Sequence, residues 1–358
     1  MIAHGVGMRV LFYLPVVNAW WFDHIVAPVM RLLASEHDVH AMVPPPWRTT
    51  GLEPAQVADI AGVTWHWLDA PEHPLLRLEP HRYPNLADHI DAIAPDLTLC
   101  RAADRTVADR FPGNVRYLME ASMPLVAPVL TRIHLSDGIF DHGLGDVAQT
   151  PESPALAATW DRIAADFPPR DGPALPDGRI LLALPLEYEG PEMFFRAHAV
   201  HPTNAVLLEQ LLTRLPDDVL LAVTDHPLNA QVGDRSALHA FVAAHPNRIT
   251  LVPETGAPGR STAMLARRAD GMIVCDSKSI FLPAMFGTPC LRLSTFRTAD
   301  WMRTYDDLDR FLADIRAGRA VAADPALTRR FVAWHLAHAS FDAADPALSA
   351  ETILSRAA

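Results

Sequence analysis

The chain has few cysteines, a single lysine and little positive charge for its length. Only 3 of its 358 residues are cysteine, and their wide spacing matches no disulfide framework and no zinc pattern. Acidic residues outnumber basic ones by 42 to 30, which gives a formal charge of −12. Because binding to the phosphate backbone of a nucleic acid needs a basic face, this balance argues against a nucleic-acid partner.

Long hydrophobic runs are also missing. No stretch is long enough to form a signal-peptide core or to cross a bilayer. We therefore expect a soluble, cytoplasmic protein, and peripheral attachment to the inner face of the membrane stays open. Half of the residues are hydrophobic and a fifth are charged, which indicates a folded chain with enough apolar surface for two cores.

Several well-known catalytic motifs are absent. The sequence contains no Gly-x-x-x-x-Gly-Lys loop, no Gly-x-Gly-x-x-Gly after its first strand, no His-Glu-x-x-His and no Gly-x-Ser-x-Gly. These absences argue against a nucleotide triphosphatase, a dinucleotide dehydrogenase, a zinc protease and an α/β-hydrolase. Asp307-Leu308-Asp309 resembles a metal-binding pair of aspartates. The apolar spacing of the surrounding segment 305–312 instead predicts a helix, with these aspartates on its solvated face. We therefore predict no metal ligands and no obligatory cofactor.

Short apolar runs alternate with amphipathic stretches along the whole chain, a rhythm typical of βα units in a parallel sheet. It breaks at 167–178, where four prolines and two glycines predict an interdomain linker. The predicted organisation is an N-terminal acceptor-side domain over 1–167, a linker over 168–178, a donor-binding domain over 179–335 and a helical tail over 336–358. The fold class is α/β, with two doubly wound, Rossmann-like parallel-sheet domains facing a cleft, the architecture of GT-B glycosyltransferases.

Polar residues follow two apolar strands of the second half. His226 and Pro227 come after the strand that ends near Val223, and Ser277-Lys278-Ser279 follow the strand that ends near Cys275. A histidine, two hydroxyls and one ammonium near a helix N-terminus predict a phosphate site. Each motif alone is more often a turn or a helix cap. Together, at successive strand ends of one domain, they favour a ligand site.

These motifs resemble a known family. His226-Pro227, the serine segment 276–279 and the run 284–289 are similar to the donor half of bacterial capsule and lipopolysaccharide Kdo transferases, which share a His-Pro and a serine motif with GT-B sialyltransferases. The resemblance implies that the two motifs bind the CMP part of a CMP-activated sugar acid. The chain departs from it where those enzymes carry Gln and Asp after the first donor-domain strand, because 185–192 reads Pro-Leu-Glu-Tyr-Glu-Gly-Pro-Glu. The serine motif is also interrupted by Lys278.

Three carboxylates are candidates for direct chemistry. Asp137 lies in a glycine-punctuated loop, Glu120 ends an apolar strand, and Glu189 lies where a nucleophile would stand in a double displacement. The alternative for each is a loop cap or an ion-pair partner.

Other residues are candidates for binding. Glu254 could accept a bond from a ribose hydroxyl or cap a helix. On the acceptor side, His142 could orient a substrate or belong to a plain turn, and Trp20, placed in the loop after the first strand, could stack on a sugar. Arg196, Arg260 and Arg297 could help at the phosphate but are more often surface arginines.

The sequence predicts a metal-independent glycosyltransferase with a nucleotide-sugar donor and a glycan or glycolipid acceptor. A CMP-sugar such as CMP-Kdo is the favoured donor, and a UDP-sugar is the second choice. A nucleotide-sugar 2-epimerase of the same fold and a non-catalytic nucleotide- or carbohydrate-binding component of a polysaccharide assembly complex are the alternatives.

Overall fold

The computed structural model describes residues 7–68, 77, 79–141, 143–145, 150–168 and 178–357. Within these residues the strands are β1 Arg9–Tyr13, β2 Asp38–Val43, β3 Val63–Trp67, β4 Leu97–Cys100, β5 Asn114–Glu120, β6 Arg132–Ser136, β7 Ile180–Pro185, β8 Val219–Thr224, β9 Ile249–Leu251, β10 Gly271–Val274, β11 Cys290–Arg292 and β12 Ser340–Asp342.

Helices connect most of these strands. The α-helices are α1 Ala19–Trp21, α2 Ala27–Ala34, α3 Pro54–Val57, α4 Leu86–Ile93, α5 Val107–Arg110, α6 Pro154–Asp166, α7 Asn204–Arg214, α8 Asn229–Val232, α9 Ser236–Ala244, α10 Arg260–Arg268, α11 Phe281–Phe286, α12 Leu308–Arg316, α13 Pro325–Trp334 and α14 Ala350–Ala357. Short 3₁₀ turns lie at Pro80–Arg82, Phe194–His198, Lys278–Ile280 and Asp300–Met302, and π-helical turns at Phe22–Val26 and His335–Ala339. None of the described helices combines the length and apolar character needed to span a membrane.

The chain divides into two compact units. The first consists of Met1–Ser122, Val129–Asp141 and His338–Ala358, and the second of Met123–Pro128 and His142–Ala337.

The first unit contains a sheet of seven described strands in the order β12-β6-β5-β4-β1-β2-β3. Strands β1 to β5 run parallel, whereas β5 pairs antiparallel with β6 and β6 with β12. The connection 121–131 is too short for a crossover helix, so β6 returns beside β5 as an antiparallel neighbour. The core of this unit packs β1 residues such as Val10 and Phe12 against apolar helix residues such as Met30 and Ile353.

The second unit contains a parallel sheet of five described strands in the order β11-β10-β7-β8-β9. Strands β7, β8 and β10 are buried on both faces, which explains their continuous apolar sequences. Leu182 and Leu184 of β7 pack with Leu208 and Phe311 of the covering helices. The prediction of two doubly wound α/β domains is confirmed, with antiparallel strands added at one edge of the first sheet.

The observed division differs from the predicted boundary at 168–178. Helix α6, which the sequence analysis assigned to the N-terminal domain, belongs to the second unit. The reason is packing, because its apolar residues Leu156, Trp160 and Ile163 lie in one core cluster with Met272 and Val274 of β10. Most of the predicted linker, 169–177, lies outside the described residues.

The C-terminal tail also differs from the prediction. It is not wholly helical, because Ser340–Asp342 forms β12 and completes the edge of the first sheet. Helix α14 then places Ile353, which is fully buried, in the core of the first unit. The tail from His338 therefore belongs structurally to the first unit.

Candidate functional site

The carboxyl ends of β7, β8 and β10 lie at one edge of the second sheet, because all three strands are parallel. The direction of strand succession reverses between β7 and β10, since β8 and β9 lie on one side of β7 and β10 and β11 on the other. Ligands of doubly wound folds bind at this kind of switch point. The structure places the predicted His226 and Ser277 segments at this edge, with β7 between them. Two strand spacings correspond to about 10 Å.

His226 is held by its neighbours in the loop after β8. The N–H of Leu228 donates to its Nδ1 at 3.3 Å, and the ring packs against Tyr188 with centroids 5.2 Å apart. A neutral imidazole that accepts at Nδ1 carries its proton on Nε2, which is therefore a donor. Pro227 is exposed. This half-buried histidine can donate a hydrogen bond to an anion.

An ion-pair network ties this loop to the loop after β7. Arg235 contacts both oxygens of Asp225, at 2.8 and 2.9 Å, and its Nη1 lies 3.1 Å from Oε2 of Glu189. Glu189 Oε1 accepts the N–H of Asn204 at 2.8 Å and lies 3.9 Å from Nη2 of Arg196. The predicted catalytic residue Glu189 therefore has a fixed carboxylate between two guanidinium groups.

Glu187 is one residue at this edge that the sequence analysis did not select as a site residue. Its main-chain oxygen accepts from the side-chain amides of Asn204 and Asn229, at 2.8 and 3.0 Å. Its carboxyl group interacts with the N–H groups of Asp276 and Ser277, so the side chain extends from the end of β7 towards the end of β10. Its Oε1 is buried and has no hydrogen-bond partner among the described residues.

The environment of Glu187 changes its acidity. Burial and, to a smaller extent, the nearby carboxylate of Asp276 raise its pKa to about 7, against the opposing effects of Arg196 and the two N–H groups. A small cavity with a volume of about 10 Å³ lies beside Glu187. His201 and Cys275 also line this cavity. This space is enough for about one water. Glu187 can therefore exchange a proton near neutral pH.

The serine segment has two different hydroxyl groups. Ser277 Oγ accepts the N–H of Ser279 at 3.1 Å and caps the 3₁₀ turn Lys278–Ile280, which leads into α11. Ser279 is buried, and its Oγ has no hydrogen-bond partner among the described residues. The capping role that was the alternative for this motif is thus filled by Ser277.

A buried arginine lies beside the same segment. Arg292 ends β11 and is 6% exposed, and its Nη2 donates to Ser294 Oγ at 3.2 Å. Ser294 in turn donates to Asp276 at 2.5 Å. Burial lowers the pKa of Arg292, and Asp276 opposes this effect. The charge of Asp276 is thus part of a local network, which the sequence analysis did not identify because it depends on contacts between different strands.

Glu254 has the role of a helix cap. Its two oxygens accept the N–H groups of Gly259 and Ser261 at 2.7 and 2.8 Å, at the beginning of α10. This capping role is one of the two that the sequence left open.

Three further candidates, Glu120, Asp137 and Trp20, belong to the first unit. Glu120 lies 3.7 Å from Nη2 of the buried Arg101, and Asp137 is an exposed residue 2.7 Å from Nη1 of Arg116. Trp20 was predicted in a loop but lies in α1. This helix begins there because Oδ1 of Asn18 accepts the N–H of Trp21 at 2.8 Å. It is 41% exposed. His142 lies outside the described residues.

The sequence analysis predicted no metal ligands and considered Asp307 and Asp309 in particular. Asp307 caps α12 by accepting the N–H of Arg310 at 2.7 Å, and Asp309 lies on its exposed face. Among the described residues, no group of three or more His, Cys, Asp or Glu side chains could hold a metal ion.

No protein-family profile matches the chain, and no curated protein matches it significantly. Solved structures with a similar fold include two KpsC proteins of Thermosulfurimonas dismutans. One, a beta Kdo 2,7 transferase, has a TM-score of 0.47 and 11% identity, with 98% of each chain covered. The other, a beta Kdo 2,4 transferase, has a TM-score of 0.41 and 10% identity, with 92% of this chain and 91% of that chain covered.

The lipopolysaccharide outer core galactosyltransferase WaaB is also similar, with a TM-score of 0.37, 10% identity and 91% of this chain and 95% of that chain covered. The Kdo transferases that the motifs resemble are thus among the solved structures with a similar fold. At these identities the likeness concerns the fold alone.

Proposed function

We propose that the chain is a glycosyltransferase that moves a sugar from a nucleotide-sugar donor to a surface-polysaccharide or glycolipid acceptor. CMP-Kdo or a related CMP-sugar acid is the preferred donor, and a UDP-sugar is the second choice. The observation that carries this proposal is the grouping, at one edge of the second sheet, of anion donors with a carboxyl group whose pKa is near 7.

The first step is recognition of the donor phosphate. His226 and the hydroxyl of Ser279 supply hydrogen bonds to it, and Lys278 adds positive charge. Groups fixed before the reaction stabilise the charge that develops on a departing phosphate more effectively than mobile water does. Hydrogen bonds to a charged group contribute about 1.5–3 kcal/mol each. This arrangement releases the nucleotide without an obligatory metal or cofactor.

The second step requires carboxyl groups. Glu187 can donate or accept a proton near neutral pH. Glu189 is held by Arg196 and Arg235 and is the candidate nucleophile of a double displacement. Asp137 and Glu120, in the first unit, remain proposals for the base that activates the acceptor hydroxyl, with Trp20 and His142 as acceptor contacts. We further propose a cytoplasmic reaction, at the inner face of the membrane when the acceptor is a glycolipid.

A nucleotide-sugar 2-epimerase is the second candidate. It needs many acidic and basic groups around the sugar. The edge described above is rich in both kinds of group, with Glu187, Glu189, Asp225 and Asp276 among the acids and Arg196, Arg235 and Arg292 among the bases. Because Asp225 and Arg235 pair with each other, fewer groups remain to surround a sugar, and we rank transfer first.

The proposal is tested by incubating the protein with CMP-, UDP- and GDP-sugars and measuring slow hydrolysis of each donor. Release of CMP from a CMP-sugar is the expected result. Release of UDP or GDP would identify a different donor, and an epimer formed with the nucleotide still attached would favour the epimerase. Binding without turnover would leave only a non-catalytic component.

A further inference from the structure

A second polar pocket lies in the second unit, between the end of α6 and one face of α10. It has a volume of about 220 Å³ and is lined by Asp166, Phe167, Pro168, Arg260, Met264, Arg267 and Arg268. The lining therefore has three arginines and one aspartate, in a chain whose formal charge is −12. The net charge of the lining favours an anion.

Two of these arginines lie over aromatic rings. The guanidinium carbon of Arg260 lies 5.1 Å from the ring centroid of Phe167, and that of Arg267 lies 5.3 Å from the ring of Phe286. Among the described residues neither has a carboxylate partner, and Arg267 Nε is buried without any hydrogen-bond partner. Such contacts restrain the guanidinium groups, whose planar fork of donors matches a carboxylate or a phosphate.

Helix stability does not explain this set of charges. Arg267 and Arg268 end α10, where cations are favourable, but Arg260 is its first residue, where the helix dipole disfavours a positive charge. Arg260 and Arg267 are seven residues apart on one face, so their Cα atoms are separated by about 10 Å along the helix. The ligand must therefore present negative charge at more than one point.

The size and lining of the pocket limit the class of ligand that it can bind. A volume of about 220 Å³ is below the roughly 300–1,000 Å³ of pockets for larger ligands. Phe167, Pro168 and Met264 supply an apolar wall, which suits the C–H face of a sugar ring better than a bare polyphosphate.

We infer that this pocket binds a carboxylate-bearing sugar residue of an acidic oligosaccharide. The next acidic sugar of the same oligosaccharide reaches the second guanidinium group. The inference does not rest on the proposed transfer reaction. It assigns α10 a binding role away from the residues that follow β7, β8 and β10.

The test is calorimetric titration of the full chain at low salt with tetragalacturonate, with maltotetraose as the neutral counterpart and tripolyphosphate as the phosphate probe. We expect tetragalacturonate to bind and the other two to bind at least tenfold more weakly. Arg260→Gln and Arg267→Gln should each weaken tetragalacturonate binding by about tenfold, the loss of one charge-assisted hydrogen bond.

Arg162→Gln is the matched control, because Arg162 is an exposed residue of α6 that does not line the pocket. It should bind as the wild type does. Circular dichroism verifies folding of each variant. Equal affinity for maltotetraose, tighter binding of tripolyphosphate, or unchanged affinity in both pocket variants would overturn the inference, whether or not the chain transfers sugars.

Discussion

Replacing Glu187 by Gln should change how the stability of the protein depends on pH. The carboxyl group has an ordinary pKa of 4.5, and burial raises it to about 7 in the folded chain. The folded state therefore binds more protons than the unfolded state between these values, and wild-type stability falls as the pH rises through this range. When ionisation is complete, the cost is about 3 kcal/mol. The glutamine variant lacks this cost.

The assay is urea unfolding of both proteins at pH 5 and at pH 8. The advantage of Glu187→Gln over the wild type should grow by about 2–3 kcal/mol between the two pH values. Glu209→Gln is the matched control, because Glu209 is an exposed glutamate on α7 of the same unit. It should follow the wild type at both pH values. A difference between Glu187→Gln and the wild type that stays constant with pH would refute the claim that this carboxyl group titrates near neutrality.

Three further predictions concern other parts of the molecule. Arg235→Ala should lower the free energy of unfolding by about 2 kcal/mol, because it removes the guanidinium partner of the partly buried Asp225 and one of the two partners of Glu189. Arg214→Ala, which breaks an exposed pair, should cost less than about 1 kcal/mol in the same urea assay. Ile353→Ala should cost about 3 kcal/mol because it removes a fully buried side chain from the first core, and a shift below about 1 kcal/mol would contradict that packing. Donor hydrolysis should survive EDTA, and complete loss that manganese restores would contradict a metal-independent reaction.

Apolar periodicity was enough to predict the parallel strands. Runs such as Leu181–Leu184 and Leu220–Val223 are buried on both faces, so their sequences are apolar throughout and the pattern is unambiguous. Strand β12 escaped prediction because it has three residues, Ser340–Asp342, and owes its conformation to pairing with β6. The domain boundary was misplaced because a proline-rich segment marks a break in secondary structure, whereas α6 is assigned by its packing against β10.

The candidate site was predictable where it depends on chain position. Residues that follow parallel strands share one edge, so His226 and Ser277 could be selected from the strand pattern alone. The importance of Glu187 depends on where its side chain extends, towards the N–H groups after β10, and its burial cannot be calculated from spacing. One signal was available, because Glu187 is the first acidic residue after the strand at the switch point. The pairing of Glu189 with Arg235 likewise depends on tertiary structure.

The central claim is that the edge formed by the ends of β7, β8 and β10 binds the nucleotide phosphate of a CMP-sugar. The most direct measurement is calorimetric titration of CMP into the wild type, His226→Ala, Ser279→Ala and the control His239→Ala, whose histidine is exposed on α9 of the same unit. The account predicts that CMP binds the wild type and the control equally, and that each site variant weakens binding by roughly ten- to a hundredfold with the fold intact. Equal affinity of all four proteins for CMP, or no binding to the wild type, would contradict it.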